Sequence, residues 1–199
     1  MRMYFSFLLS SILLFLGSAC TARQPEPQTQ AQAEYRPNAT IKDIMDSTID
    51  PSADVLWDSF EVLISESGTE EKIPRTDEEW ANVQHNAVTL AEATNLLLIP
   101  GRHVARPGEK ADDPKVELAP EQIESMINQD RQSWTKLVHE LNDVAMESLK
   151  AVEAKNLEAI LVAGDKIDKA CGNCHEKYWY PAEAEARRKR EAEKLNHQP

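Results

Sequence analysis

Apolar side chains fall three and four residues apart along most of the chain, a period that predicts amphipathic helices rather than strands. A first stripe runs Ile41, Ile44, Met45, Thr48, Ser52, Val55, Leu56, Ser59 and Leu63. It stays in phase across Pro51, so it reads either as one kinked helix or as two stacked segments, because proline lacks the amide donor and obstructs the preceding turn. A loop is expected from Glu66 to Arg75. Thr76-Asp77-Glu78-Glu79 fits a capping box and opens a second helix, striped by Trp80, Val83, Gln84, Ala87, Leu90, Ala91, Thr94, Leu97 and Leu98 and ended by Pro100-Gly101. The segment Gly101 to Ala119 is long for a connection between helices, which suggests a role of its own or mobility. A third helix begins with Pro120 in its first turn and buries Ile123, Ile127, Asp130, Trp134, Leu137, Val138, Leu141 and Ala145. After a break near Lys155, Asn156 caps a fourth, carrying Leu157, Ile160, Leu161, Gly164, Ile167, Cys171 and Cys174, with Pro181 ending or kinking it. Four such faces make an all-α domain, an antiparallel four-helix bundle, over residues 39–181. Residues 182–199 read as a charged helical tail without an apolar face, a solvated extension.

The first 38 residues follow a different pattern. Met1-Arg2 and the apolar run from Met3 to Leu16 predict a secretory signal peptide over residues 1–19, too short for a membrane span. Leu16-Gly17-Ser18-Ala19-Cys20 resembles the lipobox of bacterial lipoproteins. That resemblance implies a lipidated Cys20 on the periplasmic side of a bacterial membrane. Thr21 in the next position implies the outer membrane. Ordinary cleavage after Ala19 is the other reading, and it would leave an exposed spare thiol. Residues 20–38, rich in Gln, Pro, Ala and Glu, bury too little apolar surface to order themselves and read as a tether.

Charge then limits the partners. Without the signal segment the chain keeps 21 basic and 34 acidic side chains, a net charge of −13, which argues against nucleic acid and against anionic lipid surfaces. A basic redox protein is compatible with that surface, as is plain solubility. Membrane contact is expected through the lipid anchor alone. Of three cysteines, one is terminal and two lie in a motif, so no disulfide framework holds the fold.

That motif is Cys171-Gly172-Asn173-Cys174-His175. Two cysteines three apart with histidine directly after the second is the spacing for covalent c-type haem attachment. The thiols are placed for the two vinyl groups, and the histidine for the iron as axial ligand. At ordinary Cys and His frequencies the pattern arises by chance in roughly one chain of this length in a few thousand. A thioredoxin-type redox pair needs a βαβ setting, and a zinc site needs a second ligand pair; neither is legible in the sequence.

With this motif late in a fourth helix, the chain resembles the class II c-type cytochromes, the cytochrome c′ family. The similarity is most specific from Ala151 through Asn156 and on to Cys171-Gly172-Asn173-Cys174-His175-Glu176-Lys177-Tyr178. It implies one covalent haem c, thioether attachment at Cys171 and Cys174, His175 as proximal iron ligand, and a capacity to form homodimers. Family members usually carry Arg soon after the motif. Here Tyr178 is followed by Trp179-Tyr180-Pro181, so that basic contact is missing or falls to Lys177. The long segment after Gly101 is also unlike the compact members.

In the family a first-helix residue faces the open side of the iron, and Met45 on the first stripe is the candidate distal ligand. A helical Met is otherwise core filler, and Met126 reads that way. On a helical wheel His85 and His139 point outward, and His197 lies in the tail. His103, beside Arg102 and Arg106 in the long loop, is the one hint of a peroxidase-like distal histidine. Trp57, Trp80 and Trp134 are expected in the core or against the haem. The sequence contains no Ser/His/Asp set, phosphate loop or metal-hydrolase motif. The leading expectation is a periplasm-facing monohaem electron carrier, not an enzyme. A five-coordinate cytochrome binding NO or CO is the second, and a peroxidase-like enzyme or oxidoreductase subunit the third.

Overall fold

A computed structural model describes residues 35–65 and 68–196, and these are mostly helical. The signal peptide, Cys20, most of the tether and His197 lie outside the described residues.

The first stripe forms one unbroken helical run of three parts: α1 (Ile41–Ile44), a π-helical turn (Met45–Ile49) and α2 (Asp50–Asp58). Thr40 and Asp43 begin it with reciprocal side-chain-to-amide hydrogen bonds of 3.0 Å each. Pro51 does not split the run. The wide turn directly before it, closed by the Asp50 amide on the Met45 carbonyl, sets Pro51 in the first turn of α2, where its missing donor costs nothing. The inserted residue also moves the buried register. Ile49, fully buried, takes the inward position that the helical period assigned to Thr48.

Two further expectations are corrected beyond α2. The stripe does not continue to Leu63: β1 (Glu61–Ser65) pairs antiparallel with β2 (Gly68–Lys72), Glu61 opposite Lys72 and Ser65 opposite Gly68. The run Val62-Leu63-Ile64 has the branched composition that strands favour, and a φ of 134° at Gly68 is open only to glycine. The third helix, too, is two helices, α4 (Pro120–Gln129) and α5 (Arg131–Glu153), with α3 (Asp77–Leu97) before them. Asp130 leaves helical geometry, with φ −133° and ψ 65°, and its carboxylate accepts the Ser133 amide at 3.0 Å. It is therefore an exposed cap and not a core position, as a short carboxylate that competes for backbone amides tends to be.

Asn156 starts α6 (Leu157–Tyr178) by accepting the Ala159 amide at 3.1 Å. Pro181 starts a separate helix, α7 (Pro181–Asn196), which is docked at its beginning rather than wholly solvated: Ala184 is buried, and Arg187 and Arg188 reach Glu176 of α6.

Cross-links show how the long helices run. Between α3 and α5, the Trp134 indole donates to the Leu97 carbonyl at 3.2 Å, the Asn142 amide to the Ala91 carbonyl at 2.8 Å, and Lys155 pairs with Asp77 at 3.8 Å. The order is opposite along the two helices, so they are antiparallel. Lys166 with Glu147 (2.5 Å) and Lys177 with Asp130 (3.3 Å) give the same order for α5 and α6. The Trp57 indole donates to the Gly164 carbonyl of α6 at 3.3 Å, and a side chain at Gly164 would stand 3.4 Å from that ring. Trp57 itself is 38% exposed, which removes it from the core expected for it. Each fully buried Ile or Leu along these seams contributes about 1.5–3 kcal/mol, so Ile49, Leu90, Ile123 and Ile167 are principal holders of the fold.

The segment from Gly101 to Ala119 has few regular elements but is pinned along its length, like a strap. The Arg102 guanidinium donates to the carbonyls of Leu96 and Ala39, and the Ile41 and Lys42 amides donate to His103 and Val104 at 2.9 and 3.0 Å. At its far end the Leu118 amide donates to the Trp179 carbonyl at 2.7 Å. No helix among the described residues is long and apolar enough to cross a membrane.

Candidate functional site

Cys171 and Cys174 lie on consecutive turns of α6, on the side that also buries Ile167 and Ala170. Neither is in a disulfide. Their half-buried side chains meet Met45, Trp134 and Leu141 around a mostly apolar cleft of about 20 Å³. His175, next along the helix, lines that cleft and also a wider one of about 240 Å³ under the strap. Met45 and Trp179 likewise line both, so the two spaces meet between the π-helical turn and the end of α6.

Burial dominates the chemistry of these groups. It pushes the Cys171 thiol up to about 11, with Asp50 and Asp168 adding to the effect. It pushes Cys174 up to about 12, with Cys171 as the next cause. Both are therefore thiols at neutral pH, unlike the lowered cysteines of thioredoxin-type pairs. Burial lowers the pKa of His175, against the opposing carboxylates of Asp50 and Glu117, and so keeps the imidazole neutral with a lone pair to give. Asp50, at the mouth of the wider cleft, is raised by lost hydration, with His175 pulling the other way. Among the described residues no three His, Cys, Asp or Glu side chains converge as a metal cluster, which is the arrangement a zinc site would need.

An aromatic shell surrounds His175: Trp179 at 5.5 Å and Tyr180 at 6.2 Å between ring centres. Trp134, fully buried, packs edge-on against Tyr178 at 5.3 Å. The Tyr178 hydroxyl is buried without a hydrogen-bond partner, and burial pushes it up to about 12.

Cys171, Cys174, His175 and Met45 are thus together, and of the tryptophans named from sequence only Trp134 joins them. Trp80 packs at the other end of its helix, against Phe60 and under the Lys155 ammonium. His103 is exposed, bonded to Glu124 at 2.9 Å, and borders a separate cavity with Arg106. His85 and His139 are exposed, and Met126 packs half-buried against the core. Lys177 pairs with Asp130 at 3.3 Å and lines neither cleft. Sequence reading missed Asp50, Trp179, Tyr180 and the strap residues that wall the wider cleft. The run of three aromatics that begins three residues after His175 was the one available signal. Compared with protein-family models, curated proteins and solved structures, the chain matches none.

Proposed function

We propose that the chain is a c-type cytochrome carrying one covalent haem, an electron carrier built as an antiparallel four-helix bundle in the manner of the class II cytochromes. The observation that carries this reading is the pairing of Cys171, Cys174 and His175 on α6 with an apolar cleft whose other wall bears Met45. The donor set fits the group. The residues would hold it through thioethers at Cys171 and Cys174 and through the neutral His175 imidazole on the iron. When bound, the haem supplies one-electron chemistry at its iron. The chain's part is to exclude water with Trp134, Leu141 and Val138 and to fix His175 against Trp179 and Tyr180.

Met45 is the distal ligand of this reading. It begins the π-helical turn, a widening that recurs at functional sites, and it borders both spaces that His175 borders. The room of about 240 Å³ beside Met45 and His175 favours one alternative, an open iron that takes NO or CO. The enzyme reading has no such support, since His103 stands at another cavity. Cys20 as a lipid anchor, and with it the periplasmic side of an outer membrane, rests on the sequence alone. The optical spectrum of the reduced protein with and without carbon monoxide tests the assignment. A low-spin spectrum unmoved by the gas is expected, and a large shift would replace Met45 ligation by the open-iron reading.

A further inference from the structure

Trp57 is an exposed tryptophan that is nonetheless tied in place. Its indole N–H donates to the Gly164 carbonyl at 3.3 Å, and the absent side chain at Gly164 leaves the ring room against α6. Between α2 and α6 this contact borders a groove of about 410 Å³. Leu56, Phe60 and Ile160, all buried, form its floor, and Trp57 and Leu161, 38% and 37% exposed, stand at its rim. Two carboxylates complete the lining, Asp165 and Asp168, both exposed and about one turn apart on α6. Among the described residues no cation lines the groove, and neither aspartate has an ion-pair partner. Lys166 is held by Glu147 at 2.5 Å on the α5 side, and Lys169 does not reach the lining.

This combination selects one kind of side chain. An apolar floor suits an aliphatic stem, a fixed indole gives a cation a ring to stack on, and carboxylates without a counter-charge bind a cationic head. Arginine joins such a stem to a planar cation that stacks on aromatic rings and pairs with carboxylates. A purely apolar segment would instead cover Asp165 and Asp168 without satisfying them. A second copy of this chain would bring a net charge of −12 to an acidic surface. The location matters as well. Asp168 precedes Cys171 by about one turn, and its carboxylate helps to keep that thiol protonated.

We propose that this groove is the docking site for a basic partner protein, entered by an arginine set between apolar side chains. The guanidinium meets Asp165 and Asp168 and stacks on Trp57, which is already ordered and so loses little freedom on binding. The binding rests on the groove alone. Its use, bringing a redox partner beside Cys171, rests on the haem reading above.

The test uses full-length chain produced with the haem-attachment machinery and labelled at tryptophan with the heavy nitrogen isotope. A pyridine haemochrome assay reports on the haem reading separately: without covalent haem the redox role falls, while the binding result still decides the groove. Spectra are taken on reduced protein under carbon monoxide, where the iron is diamagnetic with or without Met45 as ligand. The Trp57 indole resonance, identified by its loss in Trp57→Phe, is followed during titration with a capped Leu-Arg-Leu peptide. Its citrulline counterpart has the same shape without the charge. The arginine peptide is expected to shift the resonance to saturation, and the citrulline peptide to bind several-fold more weakly. Asp165→Asn with Asp168→Asn weakens the arginine peptide about fivefold. Glu92→Gln with Glu153→Gln removes the same charge from exposed positions outside the groove and leaves the affinity within about twofold. A Trp57 resonance unmoved by the arginine peptide overturns the proposal, as does equal binding of the citrulline peptide or equal weakening in both double variants. A resonance that shifts with protein concentration alone assigns the groove to a second copy and overturns it too.

Discussion

Met45 and His175, far apart in sequence, border the same two cavities, one from the π-helical turn and one from the end of α6. Both are half-buried.

Replacing Met45 by Leu conserves volume and costs under about 1.5 kcal/mol in stability. A folded Met45→Leu protein with covalent haem, a high-spin reduced spectrum and carbon monoxide binding is therefore expected. Absorbance spectra taken beside a thermal melt check this. A low-spin spectrum in the variant would remove Met45 from the iron.

The thiols give a second prediction. Haem-free chain should react slowly with iodoacetamide at pH 7, and the rate should climb until the pH approaches the values near 11 and 12 to which burial raises Cys171 and Cys174. Mass spectrometry of quenched samples follows both sites. Fast alkylation at neutral pH would point instead to a lowered, redox-type pair.

His175 predicts a pH dependence in the haem-free chain. Its folded pKa lies below the ordinary value of 6.5, because burial disfavours the charged ring. Above that value the folded and unfolded chains are both neutral at this residue and it adds no pH dependence. As pH falls through 6.5 the unfolded chain takes up the proton first, so stability drops until the folded pKa is passed. Urea melts of wild type and His175→Leu from pH 8 to 5 should show the wild type losing stability relative to the variant below about pH 6.5. Parallel curves would contradict the buried, neutral ring.

Trp134 joins the cleft to the packing of α3 on α5. Trp134→Phe keeps an aromatic ring but leaves the Leu97 carbonyl without the indole donor, at a cost of about 1–3 kcal/mol. Denaturant midpoints measure it, and a change below a few tenths would mean that the Leu97 carbonyl finds another donor.

Much of this arrangement was legible because apolar period and capping chemistry are local. The Thr76–Glu79 box and the Asn156 cap stand where the sequence puts them. What was not legible depended on choices between local and distant partners. Asp130 looked inward by period, yet its carboxylate caps α5 and pairs with Lys177. The stripe across Pro51 kept its phase on paper, but one inserted residue changed which side chain is buried, Ile49 in place of Thr48. The motif cysteines and histidine were readable as a unit. Their surroundings were not, because Asp50 and the strap arrive from other parts of the chain, and no spacing rule connects them to residue 171.

The most direct measurement is the pyridine haemochrome, with intact mass, of full-length chain produced beside the haem-attachment machinery. One haem per chain is expected, retained after acid–acetone extraction and lost when Cys171 and Cys174 are both replaced by Ala. Wild-type chain that folds under those conditions without covalent haem would contradict it.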